Sequence, residues 1–378
     1  MLTDLKEFLK ENEAELYEIL KELCAIPAPS GMEDERAKYC KNKLESFGAK
    51  GVYIDEAKNV IFPINADKSD ELTVIVAHTD TVFPDLEPMP YSDDGKIIKC
   101  PGVGDDTASL SVLLMLAKYL VKKSFLPDKG LLLVCNSCEE GLGNLKGTRR
   151  IFSDFSGRVK QFISYDASRL HRITNACVGS VRYEVEVKTE GGHSYGAFGN
   201  KNAIYYLSKI VNAIYDLQVP ELEGQRTTYN VGIIEGGTSV NTIAQNAKML
   251  CEYRSTSAEA LDIMKGKFFE IFDSVRAMGV EVNVTVVGER PSARGVDEAE
   301  IKRMCDKVAG VMTSVTGNEV LYGSGSTDCN IPLSLGVPAI CFGVYVGGGA
   351  HTRDEWIEKA SIVTGLEIAV KTTFELLN

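Results

Sequence analysis

Three short apolar runs limit what this chain can fold into. ELTVIVA (71–77), GLLLVCN (130–136) and QFISY (161–165) lack the polar alternation of a half-exposed strand. Branched apolar runs of this length, bounded by turn formers, suit strands covered on both faces. Helical patterns lie between them, as over Thr107 to Lys122. At the start, Leu2, Leu5 and Leu9, then Leu16, Ile19, Leu20 and Leu23, recur at helical spacing until Pro27 and Pro29 stop the pattern. Ser30 and Glu33 have the spacing of a capping box for a helix over about 33–46. Strands alternating with helices predict an α/β fold with a mixed, mostly parallel sheet flanked by helices.

The texture changes after Asn175. VRYEVEV (181–187) alternates apolar with polar residues, as a strand with one solvated face does. A helical pattern at about 203–217 follows, then strands at 228–234 and 247–254, a helix near 258–278 and a strand at 280–287. That order, β-α-β-β-α-β, predicts a two-layer α+β unit. From Asp297 the helical pattern returns, followed by VPAICFGV (337–344) as a buried strand and a last helix. We therefore expect a discontinuous α/β domain over 1–177 and 290–378 and an inserted domain over 178–289. A length of 378 residues accommodates both.

Composition excludes several functions. The chain carries 53 acidic and 41 basic side chains, a net charge of −12. Nucleic acid is not an expected partner, because neutralising phosphates needs a basic surface. A membrane is not expected either, since no apolar run approaches the ~18 residues of a span. The N-terminus lacks the basic stretch and apolar core of a secretory signal. Ten cysteines are scattered through apolar segments. Buried thiols in a reducing, cytoplasmic setting are the expected reading, and Cys135 and Cys138 are read as packing residues.

The candidate chemistry sits at strand ends. His78 and Asp80 follow the first buried run, in AHTDTV; Asp105 and Asp106 open a helix in GVGDDTASL. Glu139 and Glu140 follow the second run, Asp166 follows the third, and His351 lies in the glycine-rich GGGAHTRDEW after the last strand. Each has a plain structural alternative: a surface pair, a helix cap, an acidic turn. GVGDD is not a phosphate loop, because it lacks the fingerprint glycine and the Gly-Lys-Ser/Thr. Taken together, these acids and imidazoles fall on one rim of the sheet, where α/β proteins form their sites. Their number fits two divalent ions. A mixed oxygen and nitrogen set suits zinc, manganese or cobalt, and the lack of thiolates argues against a closed structural zinc site. Two ions about 3.5–4 Å apart need a bridging carboxylate, and a remaining carboxylate can serve as general base.

The ordered set AIPAPSGMEDERA, AHTDTV, GVGDDTASL, EEGLGN, GGHSYGAFGNKNA, GGTSVNTIAQNAKMLCEYRS and GAHTRDEW resembles the co-catalytic metallopeptidases, among them peptidase T, carboxypeptidase G, aminoacylases and succinyl-diaminopimelate desuccinylase. The resemblance covers nearly the whole chain. It implies that His78, Asp105 and Asp166 hold one ion and that Asp105, Glu140 and His351 hold the other, zinc being the first expectation. It further implies Glu139 as general base and then acid, Asp80 as the residue that orients His78, and a cis peptide between Asp105 and Asp106. The inserted domain acts as a lid in relatives. There His193 would stabilise the oxyanion, while Asn241 and Arg254 would hold the substrate. His193 also reads as a turn residue and Arg254 as an ion-pair residue. Thr107 stands where many relatives carry lysine. Asp166, where carboxypeptidase-like and desuccinylase-like members usually carry Glu, resembles the aminopeptidases and tripeptidases. The implied activity is metal-dependent hydrolysis of amide bonds in short peptides. N-acyl amino acid hydrolysis, carboxypeptidase activity or metal and peptide binding without turnover are the alternatives. A homodimer through the lid domain is a further expectation.

Overall fold

The computed structural model describes residues 4–377, so Leu2 lies outside the described residues. The chain divides into two compact units, one running to Cys177 and resuming at Arg294, the other spanning Val178–Ala293.

The first unit is built on an eight-stranded mixed sheet. Its order is Tyr53–Ile54, Val60–Ile64, Gly130–Asn136, Leu72–His78, Val159–Ser164, Ala339–Phe342, Arg172–Cys177 and Leu321–Gly325. Leu72–His78 lies at the centre and runs parallel to both neighbours. Its side chains explain the unbroken apolar run. Ile75 and Ala77 join a core with Leu131, Leu133, Cys135 and Ile163, beneath the helices Leu5–Cys24, Ser109–Lys122 and Ser361–Leu377. Val74 and Val76 join the opposite core with Leu132, Val134, Phe162 and Cys341. With both faces covered, alternation has no purpose. The helix Ser109–Lys122 is itself sunk into the core, with Leu110 and Val112 through Ala117 all buried. Among the described residues, no helix is long and apolar enough to cross a membrane.

Two local expectations are corrected. Ser30 and Glu33 do not form a capping box: the helix Asp34–Ser46 has no side-chain cap bond. Ser30 Oγ instead donates to Asp80 Oδ2 at 2.6 Å, and Glu33 Oε1 accepts the N–H groups of Gly31 (2.7 Å) and Cys138 (3.1 Å). Tertiary acceptors and donors have outcompeted the local cap. The helix expected from Thr107 begins at Ser109, after an irregular π-type turn over Val103–Ala108 that contains Asp105 and Asp106. The Asp105–Asp106 peptide is cis.

The second unit is a four-stranded antiparallel sheet in the order Thr227–Gly236, Asn246–Ser255, Gly179–Lys188, Glu281–Arg290. Val181, Tyr183, Val185 and Val187 point into a core with Met249, Tyr253, Leu207, Phe268 and Phe272, while Arg182, Glu184 and Glu186 lie between them along the strand, half-buried. The helices Ala203–Tyr215 and Ala258–Arg276 cover that face. Both start on side-chain caps: Asn202 accepts from Ile204 and Tyr205 N–H, and Ser257 from Ala260 N–H.

Candidate metal centre

The centre forms at the carboxyl ends of the parallel strands. His78 is the last residue of the central strand, and Glu139 and Glu140 follow Gly130–Asn136 by three and four residues. Asp166 lies two residues beyond Val159–Ser164. Asp105 and His351 arrive on loops. His351 sits at φ 64°, a left-handed conformation that histidine adopts more readily than most residues.

These side chains converge. His78, Asp105 and Asp166 form one group of potential ligands, and Asp105, Glu140 and His351 form another; within each, the ligand atoms lie within 4.8 Å of one another. Asp105 belongs to both. Its Oδ1 lies 3.1 Å from His78 Nε2 and its Oδ2 3.1 Å from His351 Nε2. His351 Nε2 is also 3.0 Å from Glu140 Oε1. Bonds of about 2.0–2.2 Å to one tetrahedral ion would place neighbouring ligand atoms roughly 3.3 Å apart. One carboxylate thus spans two groups, and its 3.1 Å approaches to His78 and to His351 are close to that spacing. Glu139 groups with His78 and Glu140 by the same criterion and is 3 % exposed.

The electrostatics also ask for cations. Burial works against a charged His78 imidazole, but the carboxylates of Asp105 and Asp80 outweigh it and hold its pKa well above the usual value. Hydrogen bonds to Asp105 and Glu140 push His351 up to about 10. Burial opposes charge on Asp105, yet the two imidazoles hold its carboxyl below the usual range. Asp166 is driven the other way, by burial and then by the facing charges of Asp105 and Glu139. Asp106 is raised by burial, and its Oδ1 has no hydrogen-bond partner. Divalent ions bound here would displace protons from these imidazoles and acids, as metal binding does from its ligands. The donor set, oxygen and imidazole without thiolate, fits two such ions of the zinc, manganese or cobalt type.

His78 Nδ1 lies 2.9 Å from the backbone oxygen of Asp80 and 3.5 Å from its Oδ1. The closer contact makes the carbonyl the acceptor that directs Nε2 toward Asp105. The Asp80 carboxylate accepts the N–H groups of Glu139 (3.0 Å) and Glu140 (2.9 Å) as well as the Ser30 hydroxyl. Glu33 holds the preceding residue, accepting from Cys138 N and from its Sγ at 3.3 Å. The buried Arg36 guanidinium donates to the carbonyls of Leu23, Ile26 and Thr79 and to Thr107 Oγ1 (3.3 Å), which braces the start of the Asp80 loop. Glu355, 2 % exposed, accepts from Gly102, Gly104 and Asp105 N–H, and burial raises its pKa to about 7. Sequence reasoning missed Ser30, Glu33, Arg36 and Glu355. The only available signal was their place inside motifs already singled out, AIPAPSGMEDERA and GAHTRDEW.

The remaining candidates lie in the second unit. His193 is exposed, pairs across a two-stranded ladder with Thr242, and its Nδ1 accepts from Tyr195 and Gly196 N–H, both at 3.3 Å. Asn241 is its near neighbour, with its backbone oxygen accepting Ser194 N–H at 2.9 Å. Arg254 lies on the strand Asn246–Ser255 and forms a two-point pair with Glu252, at 2.7 and 3.1 Å. The structure therefore brings His193 and Asn241 together and gives Arg254 an intramolecular carboxylate partner.

Comparison with known proteins places these observations among relatives. The model of peptidase family M20/M25/M40 matches residues 74–375. Succinyl-diaminopimelate desuccinylase of Corynebacterium glutamicum is 24 % identical over 347 residues, covering 89 % of this chain and 90 % of that protein. Aminopeptidase PepT of Bacillus cereus superposes with a TM-score of 0.76 at 21 % identity, over 97 % of this chain and 99 % of that one. A tripeptidase of Staphylococcus aureus gives 0.75 at 20 % identity, over 96 % and 97 %.

Proposed function

The chain belongs to peptidase family M20/M25/M40, a family of hydrolases, and on that premise we propose that it is a two-metal aminopeptidase or tripeptidase acting on short peptides. The observation that carries this reading is the Asp105 carboxylate, whose two oxygens face His78 and His351 at 3.1 Å each, together with the buried Glu139, which groups with His78 and Glu140. His78, Asp105 and Asp166 would hold one ion and Asp105, Glu140 and His351 the other, with zinc the first choice and manganese or cobalt the alternatives. When bound, such ions polarise a carbonyl and make water a better nucleophile at neutral pH.

Every other role falls to the chain itself. Glu139 accepts a proton from the attacking water as its oxygen bonds to the scissile carbonyl carbon. It then gives that proton to the amine nitrogen as the C–N bond breaks. Asp80 keeps the Glu139 and Glu140 backbones in place, so that the base and the ligand next to it cannot drift apart. His193, Asn241 and Arg254 are proposed as substrate contacts, His193 for the oxyanion and Arg254 for a peptide carboxylate. For Arg254 that role requires exchange of Glu252 for substrate. We also propose a cytoplasmic enzyme that pairs as a homodimer through its second unit.

A second reading is favoured by the desuccinylase relative: hydrolysis of N-acyl amino acids, or carboxypeptidase action, by the same groups. Assays of unblocked tripeptides against N-acylated amino acids, with added zinc, manganese or cobalt, separate the two. Turnover of free-amine tripeptides supports the first reading, and turnover confined to acylated substrates supports the second. Metal uptake with no turnover of either class would leave a binding protein. Replacement Glu139→Gln should abolish turnover while metal is retained; near-normal turnover would remove Glu139 from its role.

A further inference from the structure

Glu355 is a buried carboxylate that the reaction above does not use, and its surroundings are specific. Its Oε1 accepts the N–H groups of Gly104 at 2.9 Å and Asp105 at 2.8 Å, and its Oε2 accepts that of Gly102 at 2.7 Å. These three donors come from residues about 250 positions earlier in the chain. The contact is shaped on both sides. Gly102 adopts φ +75°, where a side chain would be strained, and a Cβ there would meet Thr81 Cγ2 at 2.8 Å. A Cβ on Gly104 would meet Glu355 Oε1 and Tyr345 Cε2, each at 2.9 Å. Only a bare backbone lets the loop close over the carboxylate.

Chemistry selects a carboxylate here. Three N–H groups converge on two oxygens, and an ionised acid presents acceptors in every direction. An amide of the same shape would turn an NH2 group toward at least one backbone N–H, and the pair would repel. The position matters as much as the chemistry. Glu355 follows His351 by four residues, in the stretch that delivers that imidazole. One short segment therefore supplies a ligand of the second group and also grips the backbone of the residue shared by both groups.

We propose that Glu355 is a positioning residue that fixes the Asp105 carboxylate between the two ligand groups by holding the Gly102, Gly104 and Asp105 amides. The inference rests on the reading of Asp105 as a shared metal ligand. It assigns Glu355 no contact with substrate and no proton transfer. Its loss acts through Asp105, so metal affinity and kcat fall while KM for peptide stays near its original value.

The test uses full-length protein stripped by chelator, with Glu355→Gln and Gly104→Ala as two lesions of one contact. Zinc uptake is titrated, amide hydrogen exchange is followed by mass spectrometry, and kcat and KM are measured at saturating zinc. We expect both variants to keep protection in the strands Leu72–His78 and Gly130–Asn136 but to lose it over 101–106. Zinc affinity should fall about 10- to 100-fold, the range for outer contacts that orient a ligand. Wild-type protein that takes up no zinc would overturn the functional reading and with it this proposal. Wild-type uptake matched by both variants would overturn this proposal alone. So would zinc loss that comes only with loss of protection throughout the two strands, since Glu355 would then be a general stabiliser.

Discussion

Asp80 Oδ2 lies 2.9 Å from the backbone nitrogen of Glu140, and the other oxygen of the same carboxylate lies 3.0 Å from that of Glu139. Asp80 therefore acts on two neighbours at once. Its backbone oxygen directs the His78 ring, and its carboxylate fixes the turn that carries Glu139 and Glu140. Burial opposes charge on Asp80, but His78, the Ser30 hydroxyl and the Glu140 N–H together hold its pKa below the usual value.

Asp80→Asn tests that double role. In either orientation the amide must set its NH2 against one of the two backbone N–H groups, that of Glu139 or that of Glu140. Activity should fall about 10- to 100-fold or more, with zinc content reduced less than for His78→Ala. Steady-state kinetics with metal analysis on the same samples checks this. Normal kcat in Asp80→Asn would mean that the clamp is incidental.

Ser30→Ala removes only the hydroxyl bonds to Asp80 Oδ2 and to the Glu140 carbonyl at 3.3 Å. Water can take its place at this half-buried position. We expect a loss of about 1 kcal/mol in stability and a modest drop in kcat, clearly smaller than for Asp80→Asn. Urea unfolding and kinetics would show the order reversed if Ser30 were the dominant support.

The ion-free protein should respond to pH through His351. Its pKa is pushed up to about 10 in the folded state by Asp105 and Glu140, against about 6.5 when unfolded. A folded pKa above the unfolded one means a stabilising contribution that is complete below about pH 6.5 and fades as pH rises toward about 10. The difference in melting temperature between chelator-treated wild type and His351→Ala should therefore shrink across that window. Zinc uptake by the wild type should tighten over the same range, as protons leave the ring. A difference that grows with pH would contradict the assignment.

How much of this was legible in the sequence follows from physical range. The strands Leu72–His78 and Gly130–Asn136 were visible because burial on both faces leaves an unbroken apolar run. The clustering of the candidate ligands was legible because strand ends in a parallel sheet point to one rim, so scattered acids could be gathered by topology alone. Val60–Ile64 was not seen: Pro63 interrupts a short segment that reads as irregular. Arg172–Cys177 carries no strand signal, because its residues, RITNAC, show neither alternation nor a long apolar run. The capping box failed because Ser30 found a partner 50 residues away. Glu355 and Arg36 act through backbone groups, and no side-chain pattern marks a carbonyl or an N–H as the intended partner. Asp80 was read as the orienter of His78, but its grip on Glu139 and Glu140 needs coordinates.

A structural prediction tests the packing that holds the first unit together. Gly365, in the last helix, faces the backbone of Val344 so closely that a Cβ would fall 1.6 Å from the Val344 carbonyl oxygen. Gly365→Ala should cost about 3 kcal/mol or more, because a backbone cannot swing aside as a side chain can. Urea unfolding measures it; a loss below about 1 kcal/mol would mean that the helix shifts freely.

The most direct test of the central claim is anomalous diffraction from crystals grown with zinc. Two peaks are predicted, one coordinated by His78, Asp105 and Asp166, the other by Asp105, Glu140 and His351, with Asp105 contributing an oxygen to each. A single ion, or ions bound away from Asp105, would contradict the account.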